Sequence, residues 1–327
     1  MGSVALMPVL GRGSLRPSKP PAALLTVGFL MVRWRPSFAA SIALATCLAI
    51  SNARAEQAFN GARDLRASYA ALRPQLAENQ YARPIHLQSR DTASALQGTI
   101  HAVIDHPFAE VDAALSDPSS WCDVFTLHFN VKFCRASLIS KPAKLTVSLG
   151  KKSDQALADT FGLVFLFNRA PTPPAYFSLD LTAAVGPLST RDYRLELVAI
   201  PLDADRTFLR LGYAYSFGIG GRLAMHGFLA TVAREKFGFT VAGRTAAGAP
   251  LYIQGMRGVM ERNTMRYYLA VDAYLASLRV AAPERFEARL RYWFDSTEQY
   301  ATQLHEMDRE QYLDLKHREM ARQMATP

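Results

Sequence analysis

The chain has 327 residues, with 37 Lys and Arg against 28 Asp and Glu, for a formal net charge of +9. Half of it is hydrophobic and a fifth is charged, which excludes a disordered or collagen-like chain. The basic excess is local: residues 1–55 hold Arg12, Arg16, Lys19, Arg33, Arg35 and Arg54 and no acid, which leaves residues 56–327 at +3. So small a charge over so long a stretch is no nucleic-acid footprint, which would need a clustered basic face, and no nucleic-acid partner is expected.

Residues 31–55 read as an export signal. Met31 to Arg35 supply a positive start, Phe38 to Ile50 an uncharged stretch, and Ser51 to Ala55 a small-x-small ending with cleavage expected before Glu56. The stretch is shorter than the ~20 residues a bilayer span needs. A membrane anchor or an amphipathic transit peptide is the other reading of this segment. Residues 1–30, with Pro8, Pro17, Pro20 and Pro21, fit no part of such a signal, so translation is expected to start at Met31. The expected location is the periplasm or the extracellular space. Cys47 falls in the leader, leaving Cys122 and Cys134. In an oxidising compartment these two are candidates for one disulfide, with a pair of buried free thiols as the alternative.

The first pattern after the leader is helical. Leu65, Tyr69, Leu72 and Leu76 share one helix face, and Pro84 stops any continuation. From Leu96 the period changes to two: Leu96, Gly98, Ile100, Ala102 and Ile104 alternate with Gln97, Thr99, His101 and Val103. Asp105 then offers an N-cap and Pro107 a first helical position for a short helix from Phe108 to Leu115, ended by Asp117-Pro118. Strand-like runs follow near 128–139, 144–150, 159–168, 175–184, 191–200 and 206–217. Their short links, such as Gly186-Pro187 and Asp203-Ala-Asp205, predict antiparallel pairing. Gly218-Ile-Gly-Gly221 reads as a turn into a helix reaching Lys236. A hairpin follows over 239–253, then the longest helix from about Met256 to Arg279. Pro283 opens an amphipathic tail with Phe286, Leu290, Trp293 and Phe294. The chain thus divides into a presequence (1–55), a helical brace (56–95), a main domain (96–280) and a helical extension (281–327).

With Trp121-Cys-Asp-Val-Phe125 after the short helix and Gly258-Val-Met-Glu-Arg-Asn-Thr-Met-Arg-Tyr-Tyr268 opening the long one, this order resembles the START / Bet v 1-like (SRPBCC) superfamily over about 96–280. The resemblance implies an α+β helix-grip fold: a curved antiparallel sheet wrapped around a long C-terminal helix, with a cavity between them for a hydrophobic small molecule. The inserted hairpin and the extra helices at both ends depart from it. Phe161, Phe165, Phe167, Tyr176, Phe177, Tyr213, Tyr215 and Phe217 could line such a cavity or pack the core.

The polar set Glu261, Arg262, Asn263 and Arg266 sits in the first half of the long helix, and Asn263, Tyr267 and Tyr274 fall near one face. If Asn263 points inward it must find a hydrogen bond, which a ligand or a local network could supply. The candidate ligand-binding residues are therefore Tyr213, Tyr215, His226, Arg262, Asn263, Arg266 and Tyr267. His101 and His128, read as strand residues, are isolated imidazoles like His226. No HxH, HxxxH or CxxC spacing suggests a metal, no GxSxG elbow suggests a nucleophile, and no cofactor is implied. The first reading is an exported protein holding a lipid or other hydrophobic molecule, with transient membrane contact during exchange. The second is an enzyme, like the cyclase/aromatase or hydrolase-like members of the superfamily. Convergence of two or more of His101, His128, His226, Glu261 and Arg266 in the cavity would favour the second.

Overall fold

The computed structural model describes residues 60–218, 220–223, 227 and 236–325. The leader, its cleavage point, Cys47 and His226 lie outside them. The chain opens with α1 (60–77), then β1 (Ile85–Asp91) and β2 (Ala95–Ile104). Two short helices follow, α2 (Phe108–Leu115) and α3 (Pro118–Phe125). Six strands come next: β3 (Val131–Ser137), β4 (Ala143–Leu149), β5 (Phe161–Arg169), β6 (Phe177–Val185), β7 (Thr190–Pro201) and β8 (Thr207–Phe217). A small hairpin, β9 (Val241–Arg244) and β10 (Pro250–Tyr252), precedes the long helix α4 (Gly255–Ser277). The extension forms α5 (Arg285–Glu298), α6 (Ala301–Leu304) and α7 (Arg309–Ala325).

Eight strands make one sheet in the order β1-β2-β8-β7-β6-β5-β4-β3, antiparallel throughout. This is the α+β helix-grip arrangement. Alternation decides which face α4 covers. Leu195, Leu197 and Ala199 of β7 and Leu211, Tyr213 and Tyr215 of β8 are buried in the core shared with α4, while Arg194, Glu196 and Arg210 lie between them on the other face. Gly98 lets α4 come close to β2, because a Cβ there would overlap the side chain of Thr264. The other face is partly covered by α1, whose Leu65, Tyr69, Leu72 and Leu76 pack on Val198, Ile200 and Phe208.

Several expectations need correction. The sheet begins at Ile85, inside the stretch read as irregular: Ile85 and Leu87 alternate inward, but the strand turns polar at Ser89-Arg90-Asp91. Asp105 does not cap α2, whose N-cap is Pro107 without a side-chain bond. Asp117-Pro118 ends α2 and also starts α3: the Asp117 carboxylate accepts the Ser119 N–H at 2.9 Å and Pro118 takes the first turn. His128 lies in the turn before β3 rather than on a strand. Of the aromatics, Phe161 is exposed and Tyr176 packs with α1 on the outer face.

Cys122 and Cys134 are joined, tying α3 to β3 with Cα atoms 5.2 Å apart. The extension is held just as firmly. Trp293 donates to the Arg266 carbonyl at 3.2 Å and its ring meets Phe129 and Tyr312. An irregularity between Val131 and Phe133 re-aims Lys132, whose Nζ donates to Glu319 at 2.7 Å and to the Phe129 carbonyl at 3.0 Å. Lys316 Nζ donates to the same carboxylate at 2.8 Å and to the carbonyls of His128 and Val131 at 2.6 and 3.1 Å. The Cys134 N–H donates to Gln323 Oε1 at 3.1 Å.

Candidate functional site

Between Gly258 and Leu275 every residue of α4 is buried except Val259, Asn263 and Tyr267, which are half-buried. Spaced by four, these three form one accessible stripe along an otherwise enclosed helix. Tyr267 meets Tyr213 of β8 with ring centroids 5.0 Å apart, and it also touches Phe125 and His128. Tyr193 and Tyr215 stack at 5.2 Å beside them, and Tyr213 lies 5.9 Å from Tyr215. Neighbouring strands and one helix face thus gather four tyrosines and an asparagine in one place. Burial raises the hydroxyl pKa of all four, so they stay neutral donors and acceptors.

One side of the stripe is charged. Arg262 and Arg266 do not enter the tyrosine patch; they turn toward Glu306, in the link between α6 and α7, at 2.5 and 2.7 Å. Lys152, after β4, and Lys236, before β9, reach the same carboxylate at 2.5 and 2.7 Å. Burial alone would raise the Glu306 pKa, but Arg266 and Lys152 overrule it and hold the carboxyl well below the usual range. Burial, then Arg266, pushes Lys152 down to about 7. Arg266 also donates to the Leu304 carbonyl at 3.0 Å, while its Nε is buried without a partner.

Of the histidine and charged candidates, only His128 and Arg266 are neighbours among the described residues. Burial first, then Arg266, Lys316 and Lys152, keep the His128 imidazole neutral, and its Nδ1 accepts the Asn130 N–H at 3.3 Å. His101 lies on the opposite face of the sheet, stacked on Phe208. Glu261 is fully buried and structural: it accepts from Ser89, from both N–H groups of Phe239 and Thr240, and from the Thr240 hydroxyl, pinning β1 and the hairpin to α4. Sequence reasoning missed Lys152, Lys236 and Glu306, which reach the site from three distant segments with no local pattern to betray them. It also missed Tyr193, which lies where the register of β7 shifts between Arg191 and Arg194.

A cleft of about 1010 Å³ lies on the outer face between α1 and β5–β8, lined by Asp64, Arg169, Asp180, Arg194, Glu196 and Arg210. Its charges largely satisfy one another, Arg194 with Asp180 at 2.6 Å and Arg210 with Glu196 at 3.0 Å. It therefore offers a ligand little unmet polarity. Among the described residues no group of three or more His, Cys, Asp or Glu could hold a metal ion.

No protein-family model and no curated protein matches this chain. Solved structures similar to it include a conserved protein from Geobacillus kaustophilus, at 16% identity and a TM-score of 0.31, covering 55% of this chain and 95% of that one. The Zhui aromatase/cyclase from a Streptomyces species is similar at 15% identity and a TM-score of 0.31, with 61% and 98% covered. Human StAR-related lipid transfer protein 5 is similar at 12% identity and a TM-score of 0.33, with 68% and 99% covered. Likeness at this level carries no argument about activity, and the fold rests on the strand order and the placement of α4.

Proposed function

We propose that this chain is an exported binding protein that holds a lipid or another hydrophobic small molecule along the accessible stripe of α4. The observation that carries the reading is the stripe itself: Val259, Asn263 and Tyr267 stay half-buried on a helix whose other faces are enclosed, opposite Tyr213 and Tyr215. Apolar and aromatic walls with a few polar groups are what a site for such a molecule needs, and Asn263 supplies an orienting donor and acceptor. Export is proposed from the leader over 31–55. Transient membrane contact is proposed for the β6–β7 turn, where Val185 and Leu188 are exposed apolar side chains. No helix among the described residues is long and apolar enough to cross a bilayer.

His128 and Arg266 do meet, the convergence that would favour catalysis, but Arg266 is turned to Glu306 and the cations around His128 outweigh that carboxylate, which favours binding over catalysis. Native mass spectrometry of the full chain expressed in a bacterium with a periplasm, followed by solvent extraction, tests the reading. A copurifying hydrophobic molecule at near-stoichiometric amount, lost on Tyr267→Ala, is expected. A clean apo mass together with no uptake of added lipid would sink it. N-terminal sequencing of the periplasmic product tests export, with Glu56 as the expected first residue.

A further inference from the structure

Lys152, Lys236, Arg262 and Arg266 come from three separate parts of the chain and meet on one carboxylate, Glu306. Among the described residues no second carboxylate comes within 4.0 Å of any of the four. A buried charge needs a partner, and among the described residues this cluster holds more cations than its single anion can neutralise. The deficit shows in the geometry: the Arg266 side chain is 3% exposed, yet its Nε has no acceptor. The cluster is not sealed, because the side chains of Lys152 and Lys236 are 33% and 30% exposed and form its rim. Burial and Arg266 together holding Lys152 down to about 7 agrees with a surplus of positive charge.

The cluster also adjoins the accessible stripe. At 3.6 residues per turn, Arg266, Asn263 and Tyr267 lie about 40°, 100° and 140° around α4 from Arg262. Asn263 therefore sits between the arginines and the tyrosine patch, and a molecule lying across the stripe with its chain toward Tyr267 would bring its head to the cations. The protein shows what fits there, since Glu306 already places a carboxylate among all four.

We propose that Glu306 is the built-in occupant of an anion site, and that Lys152, Lys236, Arg262 and Arg266 take the carboxylate head of an amphipathic acid whose chain lies along the Tyr267 side of α4. The inference rests on the hydrophobic-ligand reading above and narrows it to long-chain carboxylic acids. Glu306 competes with that head, so the link between α6 and α7 sets the affinity.

The test uses the full chain, titrated calorimetrically with dodecanoate and with dodecanol, which shares the chain length but lacks the charge. Glu306→Gln is expected to bind dodecanoate about tenfold more tightly than the native chain, with dodecanol unchanged. Lys152→Gln, at the exposed rim where folding is not at risk, is expected to weaken dodecanoate severalfold and leave dodecanol alone. In thermal melts, acetate is expected to raise the Tm of Glu306→Ala by more than chloride at equal ionic strength. Equal binding of dodecanoate and dodecanol by all variants would overturn the anion site while leaving the hydrophobic site standing. Acetate rescue with no binding of either long-chain probe would keep the anion site and overturn the hydrophobic reading. Neither binding nor rescue would overturn both.

Discussion

Two buried clusters tie the C-terminal extension to the rest of the chain, and each sets several cations around one carboxylate. In the first, Lys132 and Lys316 share Glu319, and the backbone carbonyls of His128, Phe129 and Val131 take three more of their six N–H donors. In the second, among the described residues, four cations share Glu306, one carbonyl helps, and a guanidinium nitrogen is left over. The first is closed: Lys132, Lys316 and Glu319 are all buried. The second opens at two half-exposed lysines. Equal chemistry has been put to different ends. A closed cluster whose donors are nearly all met can only hold elements together, whereas one with unmet charge at an opening can take something in.

The sharpest way to break this contrast is to delete each carboxylate. Glu319→Ala leaves two buried ammonium groups without their anion, and urea unfolding is expected to show a loss of about 3–5 kcal/mol. Acetate is expected not to rescue it, because the site is closed; rescue equal to that of Glu306→Ala would erase the distinction. Next in size is the disulfide beside the first cluster. Cys134→Ser frees a short loop in the unfolded chain and is expected to cost about 3 kcal/mol in chemical unfolding. Dodecanoate affinity should not move, since the bridge braces the closed cluster and not the open one.

Acid separates His101, on the outer face of the sheet, from the Glu306 cluster by pH. Burial, then Arg210, pushes the His101 pKa down from 6.5 to about 4, so between those values the unfolded chain binds a proton that the folded chain refuses. Stability should fall by up to roughly 3 kcal/mol as pH drops through that window, and His101→Gln should flatten it. Glu306 acts lower. Its folded pKa lies below the ordinary 4.5, so its stabilisation is present above that value and is lost as pH falls beneath it. An acid titration followed by circular dichroism should therefore lose its last step in Glu306→Gln and keep the first. The smallest expected effect is Gln323→Ala, which removes one acceptor from the Cys134 N–H and should cost about 1 kcal/mol by urea unfolding.

The strands and the long helix were legible because a sheet buried on one face writes a period of two and α4 a period near four. β7 and β8 keep that alternation for most of their length, interrupted on β7 between Arg191 and Arg194. β1 was not, because its apolar alternation stops after Leu87. α3 was hidden by chemistry that reads both ways: Asp117-Pro118 is as good a start as a stop. Half of the site followed the same rule. Asn263, Tyr267, Tyr213 and Tyr215 are positions on regular elements, so spacing found them. Arg262 and Arg266 were found without their partner, which lies about forty residues on, in a link with no periodicity. Lys152 and Lys236 flank loops, and only folding brings them together.

Gln323 has one more role. The eight-stranded sheet does not close, and β3 is one of its two outer strands. An outer strand offers unpaired N–H and C=O groups to any extended chain that meets it. Helix α7 lies against β3, and Gln323 takes up the Cys134 N–H with a side-chain amide in place of a ninth strand. The extension thus guards against self-association: a chain shortened before Arg309 would present a bare strand template, and its first symptom should be concentration-dependent aggregation.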